Sequence, residues 1–144
     1  MPKENPYIEA EKRIVNCLEK RSRKLDLSNL GIAELSKLKR LRECTHLEWL
    51  DFSKNQITEI KNLEQFTNLR LLNFAFNQIT EIKNLEKLNN LQSIGLTHNQ
   101  ITESKQPPLK TVALVTELGQ SPITARSLFT MFIVLQIISY HFRS

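Results

Sequence analysis

The chain has 144 residues and a mass of 16.8 kDa, the size of one domain. Hydrophobic residues make up 40% and charged residues 24%, which excludes a wholly membrane-embedded or intrinsically disordered polypeptide. Twenty Lys and Arg against fifteen Asp and Glu leave a net charge of +5, too little by itself to indicate a nucleic-acid partner, and two cysteines (Cys17 and Cys44) are too few for a disulfide framework.

The opening Met1-Pro2-Lys3-Glu4-Asn5-Pro6 carries charge and proline where a secretory signal needs an apolar run, so the sequence predicts a cytoplasmic location. Residues 6–21 follow Asn5-Pro6, a favourable helix start because proline is tolerated in the first turn. Ala10, Ile14, Cys17 and Leu18 fall on one face, with Glu9, Lys12, Arg13 and Glu19 elsewhere. Residues 1–21 are therefore expected to supply an N-terminal capping helix.

Residues 22–103 read as a repeat array of about four units. Shifting the sequence by 22 aligns Asn55-Gln56-Ile57-Thr58-Glu59 with Asn77-Gln78-Ile79-Thr80-Glu81 and Asn99-Gln100-Ile101-Thr102-Glu103. The same shift aligns Leu47, Leu69 and Leu91; Leu50, Leu72 and Ile94; Phe52, Phe74 and Leu96. A degenerate first unit puts Leu25, Leu27 and Ile32 where Leu50, Phe52 and Ile57 stand. In that unit Leu30 replaces the phased Asn, and the gap to the next unit is three residues too long around Arg42-Glu43-Cys44.

Each unit has a physical rationale. Apolar and polar residues alternate in Trp49-Leu50-Asp51-Phe52-Ser53, which suits a short strand with one buried face. Asn55, Asn77 and Asn99 follow the strand, where an amide that both donates and accepts can satisfy turn backbone; stacked, they would form a structural ladder. The apolar residues that follow, about three apart, suit an irregular or short-helical return. No unit can bury its apolar side alone, so the units must stack.

Beyond Ser104 the phase stops: Ser104 stands where Ile60 and Ile82 stood, and Pro107 where Leu63 and Leu85 stood. The 41 residues 104–144 contain no Asn, while residues 1–103 contain twelve. Apolar Leu128–Ile138 lies near the end, with sixteen residues between Arg126 and Arg143. As a helix these sixteen residues span about 24 Å, against a bilayer core of about 30 Å. Three readings of this non-repeat tail stay open. It is a buried C-terminal cap, a membrane anchor through 127–142, or the frame-shifted or truncated end of a longer repeat protein.

The phased motif resembles the leucine-rich repeat family, and more narrowly its 22-residue subclass, seen in a regulatory subunit of type-1 protein phosphatase and in bacterial internalins. The resemblance covers roughly residues 22–103. It implies an α/β fold, a short leucine-rich-repeat solenoid with a curved parallel sheet and an irregular or short-helical convex side, and binding on the concave face. The family motif is structural and brings no catalytic residues with it.

Strand residues facing outward would line up in columns: Lys24, Trp49, Leu71 and Ser93; Asp26, Asp51, Asn73 and Gly95; Ser28, Ser53, Ala75 and Thr97. Trp49 beside Leu71 has the composition of an interface anchor. The expected partner-binding set is thus Trp49, Asp51, Ser53, Leu71, Asn73, Ala75, Ser93, Gly95 and Thr97, for a monomeric, non-catalytic module that binds another protein. Phe76 occupies a position that is polar in its relatives Lys54 and His98, so it either covers a neighbour or extends the apolar patch.

The alternatives are a membrane-associated adaptor and binding of nucleic acid through Lys20-Arg21-Ser22-Arg23-Lys24 with Lys37, Lys39, Arg40 and Arg42. The latter is disfavoured because no aromatics interleave the cluster and the regular repeats are net acidic. His46, His98 and His141 lack ligand-like spacing, Cys44-x-His46 lacks the second pair a zinc site needs, and Gly31, Gly95 and Gly119 are isolated. The sequence accordingly predicts no enzyme, no metal and no cofactor.

Overall fold

A computed structural model describes residues 5–101. Thr102, Glu103 and the three readings of residues 104–144 lie outside the described residues.

Helix α1 (Pro6–Lys20) begins as the sequence dictates. The Asn5 side chain accepts the Tyr7 N–H at 3.0 Å, and Pro6, with no N–H to leave unsatisfied, takes the first helical position. At the far end Arg21 turns left-handed (φ 49°), and Ser22 donates its N–H back to the Cys17 carbonyl at 3.0 Å, closing the last turn. Ala10, Ile14 and Cys17 are buried and Leu18 packs against the same core. The helix is tied to the first repeat by polar contacts too. The Tyr7 hydroxyl accepts the Glu34 N–H at 3.1 Å, and an Arg13 guanidinium nitrogen donates to the Asp26 carbonyl at 3.2 Å.

Four three-residue strands follow: β1 (Lys24–Asp26), β2 (Trp49–Asp51), β3 (Leu71–Asn73) and β4 (Ser93–Gly95). They form one parallel sheet in the order β1-β2-β3-β4. The register pairs Leu25 with Leu50, Leu50 with Leu72 and Leu72 with Ile94, so the sequence repeat is also the spatial repeat. From Lys24 to Trp49 is 25 residues (49 − 24), and each later step is 22 (71 − 49 and 93 − 71). The three additional residues of the first unit are absorbed on the return path, which there contains two 3-10 helices, Leu35–Lys37 and Leu41–Glu43. In the later units the return runs through turns.

The core is a column of like residues. Ile57, Ile60, Leu63, Phe66 and Leu69 are fully buried, and the Phe52 and Phe74 rings stack with centroids 5.3 Å apart. Burying such a side chain contributes roughly 1.5–3 kcal/mol.

The polar counterpart of this column is formed by Asn55, Asn77 and Asn99. Asn77 Nδ2 donates to the carbonyl of its own Phe74 at 3.0 Å and to that of Phe52, one unit earlier, at 2.9 Å. Its Oδ1 accepts the Ile57 N–H of the earlier unit at 2.9 Å. Asn99 repeats the arrangement with Leu96, Phe74 and Ile79. Asn55 does more. Its Oδ1 accepts from Leu30, Gly31 and Ile32, while Nδ2 donates to Leu27 and Phe52. It thereby holds the turn of the unit whose own phased position is Leu30.

The left-handed residue of each turn is the one just before this position. Asn29, Lys54, Phe76 and His98 have φ of 57°, 56°, 57° and 55°. A second set of amides recurs on the return path, Asn68 donating to the Thr45 carbonyl at 3.1 Å and Asn90 to Thr67 at 2.7 Å.

Candidate functional site

The face of the sheet opposite the core is built by the alternation of the strands: Leu25, Leu50, Leu72 and Ile94 point inward, and their neighbours point out. One outward row is Lys24, Trp49, Leu71 and Ser93 in paired register. Leu71 is 42% exposed, an unusual position for a leucine, and Trp49 beside it is half-buried.

The next row is Asp26, Asp51, Asn73 and Gly95. Its polar side chains are largely occupied with their own backbone. Asp26 Oδ1 accepts the Ser28 N–H at 2.8 Å, Asp51 Oδ1 the Ser53 N–H at 2.7 Å, and Asn73 Oδ1 the Ala75 N–H at 3.0 Å, each closing the strand end. Asn73 Nδ2 also donates to Asp51 Oδ2 at 3.1 Å, linking β2 to β3. Partial burial acts on Asp26 to raise its pKa. The hydrogen bonds from Ser28 and the charge of Arg13 outweigh that effect and hold the carboxyl below the ordinary value.

Ser28, Ser53, Ala75 and Thr97 continue outward as a strip of small residues, Thr97 exposed and the others half-buried. Beyond them the Phe76 ring, 48% exposed, stacks on the His98 imidazole, with centroids 4.2 Å apart and planes at 16°. The face thus has an apolar margin at Trp49 and Leu71, an aromatic margin at Phe76 and His98, and a polar, internally bonded band between them. Aligning Phe76 with His98 was open to sequence reading. Their stacking was not, because it depends on the left-handed turn that swings both rings to one side.

Other candidates do not assemble into a site. Lys20, Arg21, Arg23 and Lys24 are exposed, and so are Lys37, Lys39, Arg40 and Arg42. Acids stand among them: Arg23 pairs with Glu48 at 2.9 Å, Lys37 with Glu34 at 2.8 Å and Arg40 with Glu43 at 3.3 Å. Cys17 and Cys44 are both buried free thiols that lie against each other, and Cys17 donates to the Ser22 carbonyl at 3.3 Å. Burial, reinforced by Cys17, pushes the Cys44 thiol up to about 12, and burial raises Cys17 as well. Such thiols stay protonated at neutral pH and are poor nucleophiles or ligands. Among the described residues no group of three or more His, Cys, Asp or Glu could hold a metal ion, and no helix is long and apolar enough to cross a membrane.

Comparison with known proteins bears on the repeat and the fold. The model of the family described as Leucine Rich repeats (2 copies) matches residues 45–86 and 67–110. The chain is similar to a solved internalin (inlF) from Listeria monocytogenes, at 26% identity and a TM-score of 0.55, over 68% of this chain and 34% of that one. Another internalin of the same organism, C2, gives 25% identity and a TM-score of 0.47, over 60% of this chain and 46% of that one. The chain therefore spans only about a third of the first internalin's length and less than half of the second's. Among curated proteins none matches.

Proposed function

We propose that this chain is a non-catalytic leucine-rich-repeat module that binds another protein through the outward face of its sheet. The observation that carries this reading is the exposure of Leu71 in register with half-buried Trp49 on strands fixed by their neighbours. An apolar side chain held in place loses little freedom on binding, so its burial is translated into affinity with a small ordering cost. Leu71, Trp49 and the Phe76 ring would be the contacts that a partner desolvates, while Ser53, Ala75, Ser93, Gly95 and Thr97 keep the floor between them low. Asp51 and Asn73 have a double role in this reading, shaping the floor and offering their remaining lone pairs. We infer a monomer acting in the cytoplasm, without a cofactor.

The test is capture from native lysate with three baits: the natural chain, Leu71→Asp and Trp49→Ala, each first shown to melt cooperatively. A protein held by the natural chain and released by both variants supports the reading. Equal capture by all three baits overturns it.

A further inference from the structure

The two ends of the array are finished differently. At the N-terminal end α1 packs on β1, and the apolar residues beneath it are buried. At the other end β4 pairs with β3 alone among the described residues. Ile82, Leu85 and Ile101 are only partly buried there, whereas Ile60, Leu63 and Ile79, in the same phase one unit earlier, are completely so. An unpaired strand edge flanked by apolar residues is a template for unwanted association, and repeat arrays need such an end covered.

Forty-three residues follow Ile101 (144 − 101). The strict 22-residue phase ends at Ser104, yet Leu109, Val112, Val115 and Leu118 restore the three-residue spacing of Leu85, Leu88, Leu91 and Ile94. The family match likewise runs past Ser104, to residue 110. Leu109 stands eight positions after Ile101 (109 − 101), a reach of up to about 27 Å against a strand spacing of about 4.8 Å, so the connection is long enough.

We propose that the end face formed by β4, Ile82, Leu85 and Ile101 is a docking surface, and that its occupant is segment 109–118 of this same chain. Leu109, Val112, Val115 and Leu118 supply the apolar partners that each earlier unit receives from the unit after it. The pairing is independent of what the outward face binds.

Two measurements on the full chain test this. In an equimolar mixture of isotope-labelled and unlabelled chains, an amine cross-linker should join Lys110 to the exposed Lys87 within one chain. Hydrogen exchange should then show the amides of Ser93–Ile101 opening about tenfold faster in Val112→Asp/Val115→Asp, with α1 and β1 unchanged. If that variant unfolds throughout, Val112→Ala/Val115→Ala is read instead. Mixed-isotope cross-links would assign the surface to a second copy and overturn the proposal. So would equal exchange at Ser93–Ile101 in natural and variant chains, or protection that appears only when lipid vesicles are added.

Discussion

The side-chain amide of Asn73 lies across the backbone of Gly95, so that a Cβ on Gly95 would stand 2.5 Å from Asn73 Oδ1. An outward Gly in a strand is otherwise hard to justify, since it adds no packing and loses more entropy than any other residue. Here the bare Cα makes room for a side chain that cannot easily move. Asn73 is pinned by the Ala75 N–H at Oδ1 and by Asp51 at Nδ2. Gly95→Ala should therefore cost about 1–2 kcal/mol, as steric crowding displaces hydrogen bonds. In an Asn73→Ala background the same change should be nearly neutral. A double-mutant cycle in urea reads the coupling, and additive losses would show that the two residues do not meet.

The phased asparagines should differ in weight. Asn55 serves three amides and three carbonyls of the turns it joins, Asn99 one amide and three carbonyls in a more open setting. Replacing Asn55 by Ala strands several buried backbone groups and should cost about 2–3 kcal/mol, against about 1 kcal/mol for Asn99→Ala. Asn55→Asp is the sharper probe. It keeps the acceptor for Leu30, Gly31 and Ile32 but faces the Leu27 and Phe52 carbonyls with a carboxylate, so it should be at least as harmful as Ala in chemical denaturation.

Alkaline pH should loosen the N-terminal end. The Cys44 thiol ordinarily titrates at 9.0 and is pushed up to about 12 in the fold, chiefly by burial and then by Cys17. Between those values the folded chain keeps a proton that the unfolded chain has given up. The associated stability is complete below pH 9 and falls as pH rises toward 12, by no more than about 1.4 kcal/mol per pH unit. Cys44→Ala should flatten the decline of Tm above pH 9 relative to the natural chain, whatever uniform offset the lost sulfur introduces. Parallel curves would refute the assignment.

Lys54 offers a gain in stability. It is exposed and sits at φ 56°, where a residue with a Cβ pays roughly 1–2 kcal/mol unless its side chain can bond locally. Asn tolerates this conformation, as Asn29 does one unit earlier. Lys54→Asn should raise stability by about 0.5–1 kcal/mol in thermal unfolding, while the same change at Phe76 also forfeits the ring stack with His98.

Much of the architecture was legible because it is periodic. A 22-residue shift of the sequence placed Trp49, Leu71 and Ser93 in one row, and the register pairs them so. The extra three residues near Cys44 were visible as a gap, though not the 3-10 helices that take them up. Periodicity states which residues recur, not which atoms meet across units. The Asn73–Gly95 overlap, the adjacency of Cys17 and Cys44 and the stacking of Phe76 on His98 arise from residues that break the repeat. Each depends on a side-chain direction that spacing alone does not encode. The same limit applied to the outward face, where sequence named the columns but not that Asp51 and Asn73 are bound to each other.

Every phased asparagine reaches backward. Ile32 N–H is met by Asn55, Ile57 N–H by Asn77 and Ile79 N–H by Asn99, acceptors 20 to 23 residues further along the chain. This gives the solenoid a time order during synthesis. A nascent turn leaving the ribosome has its strand and its apolar residues but not its acceptor, and it stays open at that amide until most of the following unit has emerged. Translation thus closes each turn one unit in arrears. A pause with a repeat half-emerged would hold the preceding turn half-bonded, whereas emergence of the next asparagine supplies the missing acceptor.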